Sequence, residues 1–426
     1  MVTAIAAPAE LCPTCQVGLV TLFDEPSWCE RCEFGLDRYQ LPVGLGPLGR
    51  AIERHGMRLG FRLNRRLFAS ISARDIRRPG ITVAFVVLFV ISLLSMAASV
   101  AAAAGGVMLI VKGNAILAVF GALLIGIAMV LAPRLGRVKP LRANYDELTR
   151  ADAPEFFALI EKASAAVGTQ MPEMVFVGPN WNAFAGRYGL RRKRVLMVGV
   201  PMWVVLRPQE RVALLGHELG HFVNRDVSRG LLTQPACTIF ARLAQLLRPD
   251  KPTDGRRAMG SFITVMAMIV IRPVQWVLCY LLWTVHIGLT LVAAHDRQRS
   301  EYYADALAME LAGTDAGSFF DLHSQGMTTV IGARARAGQG YAGWREGVER
   351  ARKDRAAQLT LLRQLTLRRE SSPFNTHPPI GMRHGMVATQ PHQVPRIILT
   401  QDQAARIDAE LTRFEAGYRR TVAHHW

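Results

Sequence analysis

Acidic side chains are scarce in this 426-residue chain: 33 Asp and Glu stand against 51 Lys and Arg, an excess of 18 positive charges. Two long stretches, Pro79 to Val111 and Gly113 to Pro133, carry no charge at all. Nucleic acid is one reason for a basic balance. The uncharged runs supply a better one, because the cytoplasmic flanks of membrane spans collect Lys and Arg. Each run is long enough for a helix of about 20 residues to cross a bilayer. The start, Met1 to Glu10, lacks a basic n-region and carries an acid, which argues against a signal peptide. Neither end shows a myristoylation or prenylation pattern. Cysteine is sparse too, with six in all, and a reducing N-terminal side makes disulfides a poor use for them.

What is present divides the chain. Residues 1–40 hold Cys12-Pro-Thr-Cys15 and Cys29-Glu-Arg-Cys32, two C-x-x-C knuckles thirteen residues apart. That spacing reads as a structural zinc ribbon with four thiolates around one ion, ahead of a disulfide or redox pair. Cys237 and Cys279 lie in apolar surroundings and read as core thiols. Residues 41–78 combine a Gly/Pro linker, Leu41 to Gly49, with arginines at 50, 54, 58, 62 and 66. Spacing by four keeps them on one drifting helix face, suited to the anionic headgroups of a lipid bilayer. No aromatic cluster is there to stack bases, so nucleic acid ranks lower.

Residues 79–133 form a candidate transmembrane hairpin turning at Lys112-Gly-Asn114. Arg77 and Arg78 precede it and Arg134, Arg137, Lys139 and Arg142 follow, which puts both ends in the cytoplasm. Residues 134–229 read as the first part of a soluble domain, with a helix over Ala153 to Thr169. Two strands follow, Met174 to Val177 and Val195 to Val198, with the basic turn Arg191 to Arg194 between them. Residues 230–295 form a second apolar region, broken by the charged loop Arg248 to Arg257. Whether Leu231 to Leu247 crosses, with Ser261 to Ala294 returning, or neither crosses, is left open. Residues 296–426 read as the second part of that soluble domain and a basic helical C-terminal region; the last hundred residues are expected to be soluble, helical and basic, with one helix over Trp344 to Arg369.

The sharpest chemical signal is His217-Glu218-Leu219-Gly220-His221. Histidines four apart share a helix face and can bind one metal ion, with the intervening glutamate placed to deprotonate a water. An amphipathic helix with solvated histidines is the bland alternative. The unbroken lead-in from Pro208 and the apolar Ala213, Leu214 and Leu215 favour the metal site. Zinc needs a third protein ligand and an open fourth position. Glu301 is the best candidate, with Asp305 one turn later able to accept the free N–H of a ligand histidine. Spacing alone leaves Glu301 and Asp305 evenly balanced against ordinary surface acids.

With those residues the chain resembles the HtpX-type, CAAX-protease-related integral membrane zinc metalloproteases. The blocks that agree in order are Asn182 to Ala185, Val195 to Val200, Leu214 to His221, Asn224-Arg-Asp226, Glu301-x-x-Ala-Asp305, and Thr376-His-Pro-Pro379 with Arg383 beyond. The resemblance spans about Tyr145 to Arg383 and implies a zincin core. It implies His217, His221 and Glu301 as zinc ligands, Glu218 as catalytic base and Asp305 as the acid behind them. His377, and more weakly Asn182, are candidate donors to the oxyanion, while Arg383 reads as the partner of an internal acid. The ribbon, the arginine helix and the enlarged segment Arg334 to Arg369 are additions to the family's plan.

The fold expected is a mainly α-helical membrane protein with a zincin-like α+β metalloprotease domain, a small edge sheet and an N-terminal zinc ribbon. The function expected is zinc-dependent endopeptidase action on membrane or misfolded proteins at the cytoplasmic face of the cell membrane. One catalytic zinc and one ribbon zinc are expected, with oligomeric state left open. The competing class is a non-catalytic membrane scaffold whose ribbon is a binding module. A soluble aminopeptidase fails on the apolar hairpin and on the long apolar insertion before Glu301.

Overall fold

The computed structural model describes residues 10–23, 25–39, 46–72, 76, 80–132, 136–224, 226–248, 271–372, 375 and 377–426. Outside them lie residues 41–45 of the linker, Arg77, Arg78, Arg134, Arg225, Lys251, Arg256, Arg257, Thr376 and the first part of the Ser261 to Ala294 stretch. The chain separates into two compact units. One comprises residues 1–79, 136–227 and 297–426; the other comprises 80–135 and 228–296.

In chain order the helices begin with α1 (Pro47–Ser72), α2 (Val83–Lys112), α3 (Ala115–Leu131), α4 (Val138–Asn144) and α5 (Pro154–Ala166). Then come α6 (Val200–Val205), α7 (Pro208–Asn224), α8 (Asp226–Leu247) and α9 (Arg272–Ala312). The rest are α10 (Ser318–Ser324), α11 (Met327–Arg336), α12 (Tyr341–Arg355), α13 (Leu359–Arg369), α14 (Ile380–Ala388), α15 (Gln401–Leu411) and α16 (Glu415–His425). Four strands, β1 (Asp146–Leu148), β2 (Met174–Gly178), β3 (Ala183–Tyr188) and β4 (Lys193–Gly199), form one sheet in the order β1-β2-β4-β3. Only β2 and β4 pair in parallel.

In the second unit, α2 and α3 have side-chain caps: Thr82 accepts the Phe85 amide and Asn114 the Leu117 amide. They meet at two glycines. A Cβ on Gly106 would stand 2.6 Å from the Gly121 carbonyl oxygen, so a larger residue would force the pair apart. The Ala236 amide of α8 donates to Ser92 Oγ of α2 at 3.0 Å, and Arg242 bonds the Val130 and Ala132 carbonyls at the end of α3. Among the described residues, two helices, α2 and α9, are long and apolar enough to cross a membrane. Helix α3 has 17 residues, about 26 Å of rise, shorter than the uncharged run that contains it. Outward residues such as Val100, Val119 and Val277 are 66–69 % exposed, an apolar surface that needs lipid or protein cover.

The first unit is built on alternation. Val175, Val177, Leu196 and Val198 face one core with Phe156, Trp203 and the apolar side of α7, while Met174, Phe176, Val195 and Met197 face another with Leu141. Helix α7 is buried almost all round, as a helix apolar on most faces must be. Its N-terminus is anchored by Glu210, whose carboxylate accepts the Arg207 amide at 2.9 Å and the two terminal guanidinium nitrogens of Arg352.

Three local expectations differ from what is found. The segment between the two anticipated strands holds a third, β3, which begins at Ala183 and forms the sheet edge; its period is masked by Gly186. Trp344 to Arg369 is not one helix, because a 3₁₀ turn, Ala356–Gln358, separates α12 from α13. The Gly/Pro linker is shorter than its composition implies, since Pro47 starts α1, where a missing N–H costs nothing.

Candidate metal centre and its cleft

Helix α7 carries His217, Glu218 and His221 as neighbours by its 3.6-residue period. What brings α9 to them is the pair of small residues one position before each histidine. A Cβ on Gly216 would lie 2.9 Å from Ala308 Cα, and one on Gly220 3.2 Å from Ala304 Cα. Glycine facing alanine lets the two helices approach closely. Glu301 and Asp305, on the same stripe of α9 as Ala304 and Ala308, then reach the imidazoles.

Glu301 is 4 % exposed, and its two carboxylate oxygens lie 3.5 Å from His217 Nε2 and 3.8 Å from His221 Nε2. Ligands on a tetrahedral zinc with bonds of about 2.05 Å sit roughly 3.3 Å apart, so each of these two imidazole–carboxylate separations is close to that of a ligand pair on one ion. His377 Nδ1 lies 2.5 Å from Glu301 Oε2, and one donor atom each from His217, Glu301 and His377 lies within 4.8 Å of the others. His377 thus stands at the rim of the same centre, half-exposed.

Behind the histidines, Asp305 Oδ1 lies 2.9 Å from His217 Nδ1. Arg383 Nη2 lies 3.3 Å from the same Nδ1, so that nitrogen meets both the acid and the guanidinium while Nε2 lies by Glu301. Arg383 of α14 grips Asp305 with two bonds, Nε to Oδ2 at 2.9 Å and Nη2 to Oδ1 at 2.6 Å, and its guanidinium lies over the Phe320 ring. Burial pulls the guanidinium's pKa down, but the bidentate Asp305 outweighs it and holds Arg383 above its ordinary value. Arg383 therefore stays charged, gripping the acid while also lining the cleft beside His217.

The cleft in front, about 280 Å³, is lined by Asn182, His217, Glu218, Glu370, Asn375 and His377 among others. Asn182 immediately precedes β3 and its carbonyl accepts the Gly199 amide, so it is tied to the sheet edge. Glu370 and Asn375 had no pattern in the sequence to mark them. Burial raises the Glu370 carboxyl above the usual range, although it accepts the Ile380 amide at 2.8 Å. The two glycines were legible as a G-x-x-x-G spacing within the histidine motif.

A second cluster gathers Cys12, Cys15, Cys29 and Cys32. Sulfur separations of 3.3–3.6 Å are far beyond a disulfide and near the edge of a zinc–thiolate tetrahedron, about 3.8 Å. The two knuckles repeat one geometry. The Gln16 amide bonds the Cys12 carbonyl and the Glu33 amide bonds the Cys29 carbonyl, each at 2.9 Å, and both residues have φ near +58°. Four thiols gathered in this way suit a thiophilic ion.

Residues 151–389 match Peptidase family M48, more than half of the chain. A protein named Protease HtpX homolog from Syntrophobacter fumaroxidans is 28 % identical over 247 residues, 55 % of this chain and 76 % of that one. Protease HtpX from Chromohalobacter salexigens is 30 % identical over 155 residues, 35 % of this chain and 48 % of its own length. A Protease HtpX homolog from Streptococcus equi subsp. zooepidemicus is 25 % identical over 254 residues, covering 56 % and 73 %. No solved structure matches the chain.

Proposed function

Because the chain belongs to peptidase family M48 and is an HtpX-type zinc metalloprotease, we propose that His217, His221 and Glu301 hold its catalytic zinc and that Glu218 is its general base. The observation that carries this is the approach of one buried carboxylate to both Nε2 atoms, at 3.5 and 3.8 Å. Zinc bound there supplies a Lewis acid that polarises a peptide carbonyl and lowers the pKa of a water to about 7. Glu218, in the cleft beside His217, takes the proton of the attacking water and passes it to the departing amine. Asp305 orients His217 through Nδ1, and Arg383 keeps Asp305 charged.

His377 is placed to donate to the charge that builds on the carbonyl oxygen, with Asn182 as a weaker second donor across the cleft. An extended peptide lying along the free edge of β3 would be gripped by its backbone, which favours unfolded segments over a fixed sequence. The substrates are membrane or misfolded proteins, cut as an endopeptidase at the cytoplasmic face. Arg137, Lys139 and Arg142 after α3 support that side. The exposed arginines of α1 suit anionic headgroups, and the cysteine ribbon holds a second, structural zinc.

Casein cleavage by the detergent-purified chain, with and without a chelator, tests the activity. Glu218→Gln should keep its zinc and lose cleavage by about 100-fold or more. Unchanged turnover by that variant would reject the base assignment.

A further inference from the structure

The ribbon does not hang from the first unit as a tethered module. Trp28 and Leu36 are fully buried in one apolar cluster with Leu365 and Leu367 of α13, Met382 of α14, and Tyr302, the neighbour of Glu301. Polar contacts tighten the joint. Arg368, 1 % exposed, donates to three ribbon carbonyls: Leu36 at 3.1 Å, Pro26 at 2.8 Å and Gly35 at 3.0 Å. Its guanidinium lies 5.0 Å from the centre of the Trp28 ring, and Glu25 is its carboxylate partner at 3.5 Å. Gln364 accepts the Trp28 indole N–H at 2.9 Å and donates to the Glu30 carbonyl at 2.7 Å.

The same turn of α13 builds the cleft wall. Thr366 Oγ1 accepts the Gly381 amide and Glu370 accepts the Ile380 amide, both at 2.8 Å, so the open N–H groups that start α14 are satisfied from α13. Asn375, in the cleft lining, donates to the Glu370 carbonyl at 2.7 Å. Helix α14 carries Arg383, which holds Asp305 and through it His217. A buried guanidinium is tolerated only where its donors are met, so Arg368 fixes α13 to the backbone on either side of the Cys29–Cys32 knuckle, and Gln364 reaches the Glu30 carbonyl within it.

We propose that Arg368 and Gln364 are positioning residues of the peptidase: through them the cysteine ribbon sets the place of α13, and α13 sets the start of α14 and the cleft wall. This rests on the peptidase reading above. It makes the ribbon a brace of the catalytic centre rather than a docking module for an outside partner. The carbonyls that Arg368 bonds flank the second pair of thiols, Pro26 shortly before Cys29 and Gly35 and Leu36 shortly after Cys32, so a disturbance of that knuckle would reach the cleft wall by the same route.

The test uses the full chain in detergent with Arg368→Ala, and with Arg369→Ala as the control. Arg369 is half-exposed, pairing with Glu25 at 2.8 Å and lying over the Phe23 ring. Two readouts are taken: kcat and KM on a peptide, and amide hydrogen exchange over 380–388 compared with 154–166. In Arg368→Ala, kcat per zinc-loaded molecule should fall about tenfold or more while KM changes little. Exchange over 380–388 should accelerate about tenfold while 154–166 stays as in the parent, a local rather than global opening. Arg369→Ala should match the parent throughout. Parental exchange over 380–388, or equal acceleration in both segments, overturns the proposal, as does parental kcat. Should Arg368→Ala fail to fold, Gln364→Ala is judged by the same criteria. A parent with no peptidase activity means the peptidase reading has failed; exchange alone then decides the brace, for it if 380–388 opens locally and against it otherwise.

Discussion

Replacing Gly216 with alanine puts the helix approach that builds the metal centre to a quantitative test. The new Cβ would stand 2.9 Å from Ala308 Cα and 3.3 Å from Leu311 Cδ2. Carbon pairs settle at about 3.5–4.0 Å, so α7 and α9 must part locally by roughly 0.6–1.1 Å. Overpacking of that kind costs about 1–3 kcal/mol, and the gain in helix propensity from glycine to alanine returns about 1 kcal/mol. A net loss of about 0–2 kcal/mol follows, seen as a melting point lower by up to a few degrees. The larger effect is geometric. Ala304 and Ala308 share their stripe with Glu301, so the carboxylate retreats from His217 and His221. A 1 Å misplacement costs about 100-fold in rate, and zinc should be lost to a chelator faster. Gly220→Ala, at 3.2 Å from Ala304 Cα, should be milder. Gly417→Ala in α16, with no atom within 4 Å of its Cβ, should be neutral or stabilising by up to about 1 kcal/mol. The assays are thermal melting, zinc release and peptide hydrolysis on the three variants. Gly216→Ala with parental melting and zinc retention, or with less effect than Gly220→Ala, would refute the close-approach argument.

Three further outcomes are expected. Metal analysis should find two zinc ions per chain, falling to one in Glu301→Ala and to one in Cys29→Ser; full occupancy in either variant would transfer the ligand role elsewhere. Asp305→Asn leaves the Arg383 charge buried without its carboxylate, so unfolding stability should drop by about 3–5 kcal/mol and activity with it; denaturant melts that overlay the parent would contradict this. Glu370 has a folded pKa above its ordinary value of about 4.3, so the folded state binds the proton more tightly than the unfolded chain. Its burden is absent below pH 4 and grows as pH rises through the folded pKa. Glu370→Gln should therefore raise the melting point at neutral pH and leave it unchanged in acid, and a shift of equal size at both would exclude the linkage.

Much of the chemistry was legible because it is local. His217, Glu218 and His221 share a helix face by periodicity alone, and the Cys12 to Cys32 spacing carries a knuckle geometry that needs no distant partner. The two uncharged runs declared α2 and α3 by composition, whereas the region leading into α9 was left open. Spacing did not reach β3, whose weak alternation and Gly186 hide an edge strand, nor the break at Ala356–Gln358 between two basic helices. Glu370 carries no motif and becomes part of the cleft only because α13 ends there against α14.

From its sequence alone the chain determined which atoms are available to bind metal, since donor type and helical period are properties of short segments. Only the tertiary structure decided that Glu301 meets the two imidazoles across a glycine–alanine contact, and that Arg368 ties the ribbon to the wall of the cleft. Both depend on how closely two separate segments can approach. Steric size and the need to satisfy a buried charge set that distance, and neither is written in the spacing of residues along one strand or helix.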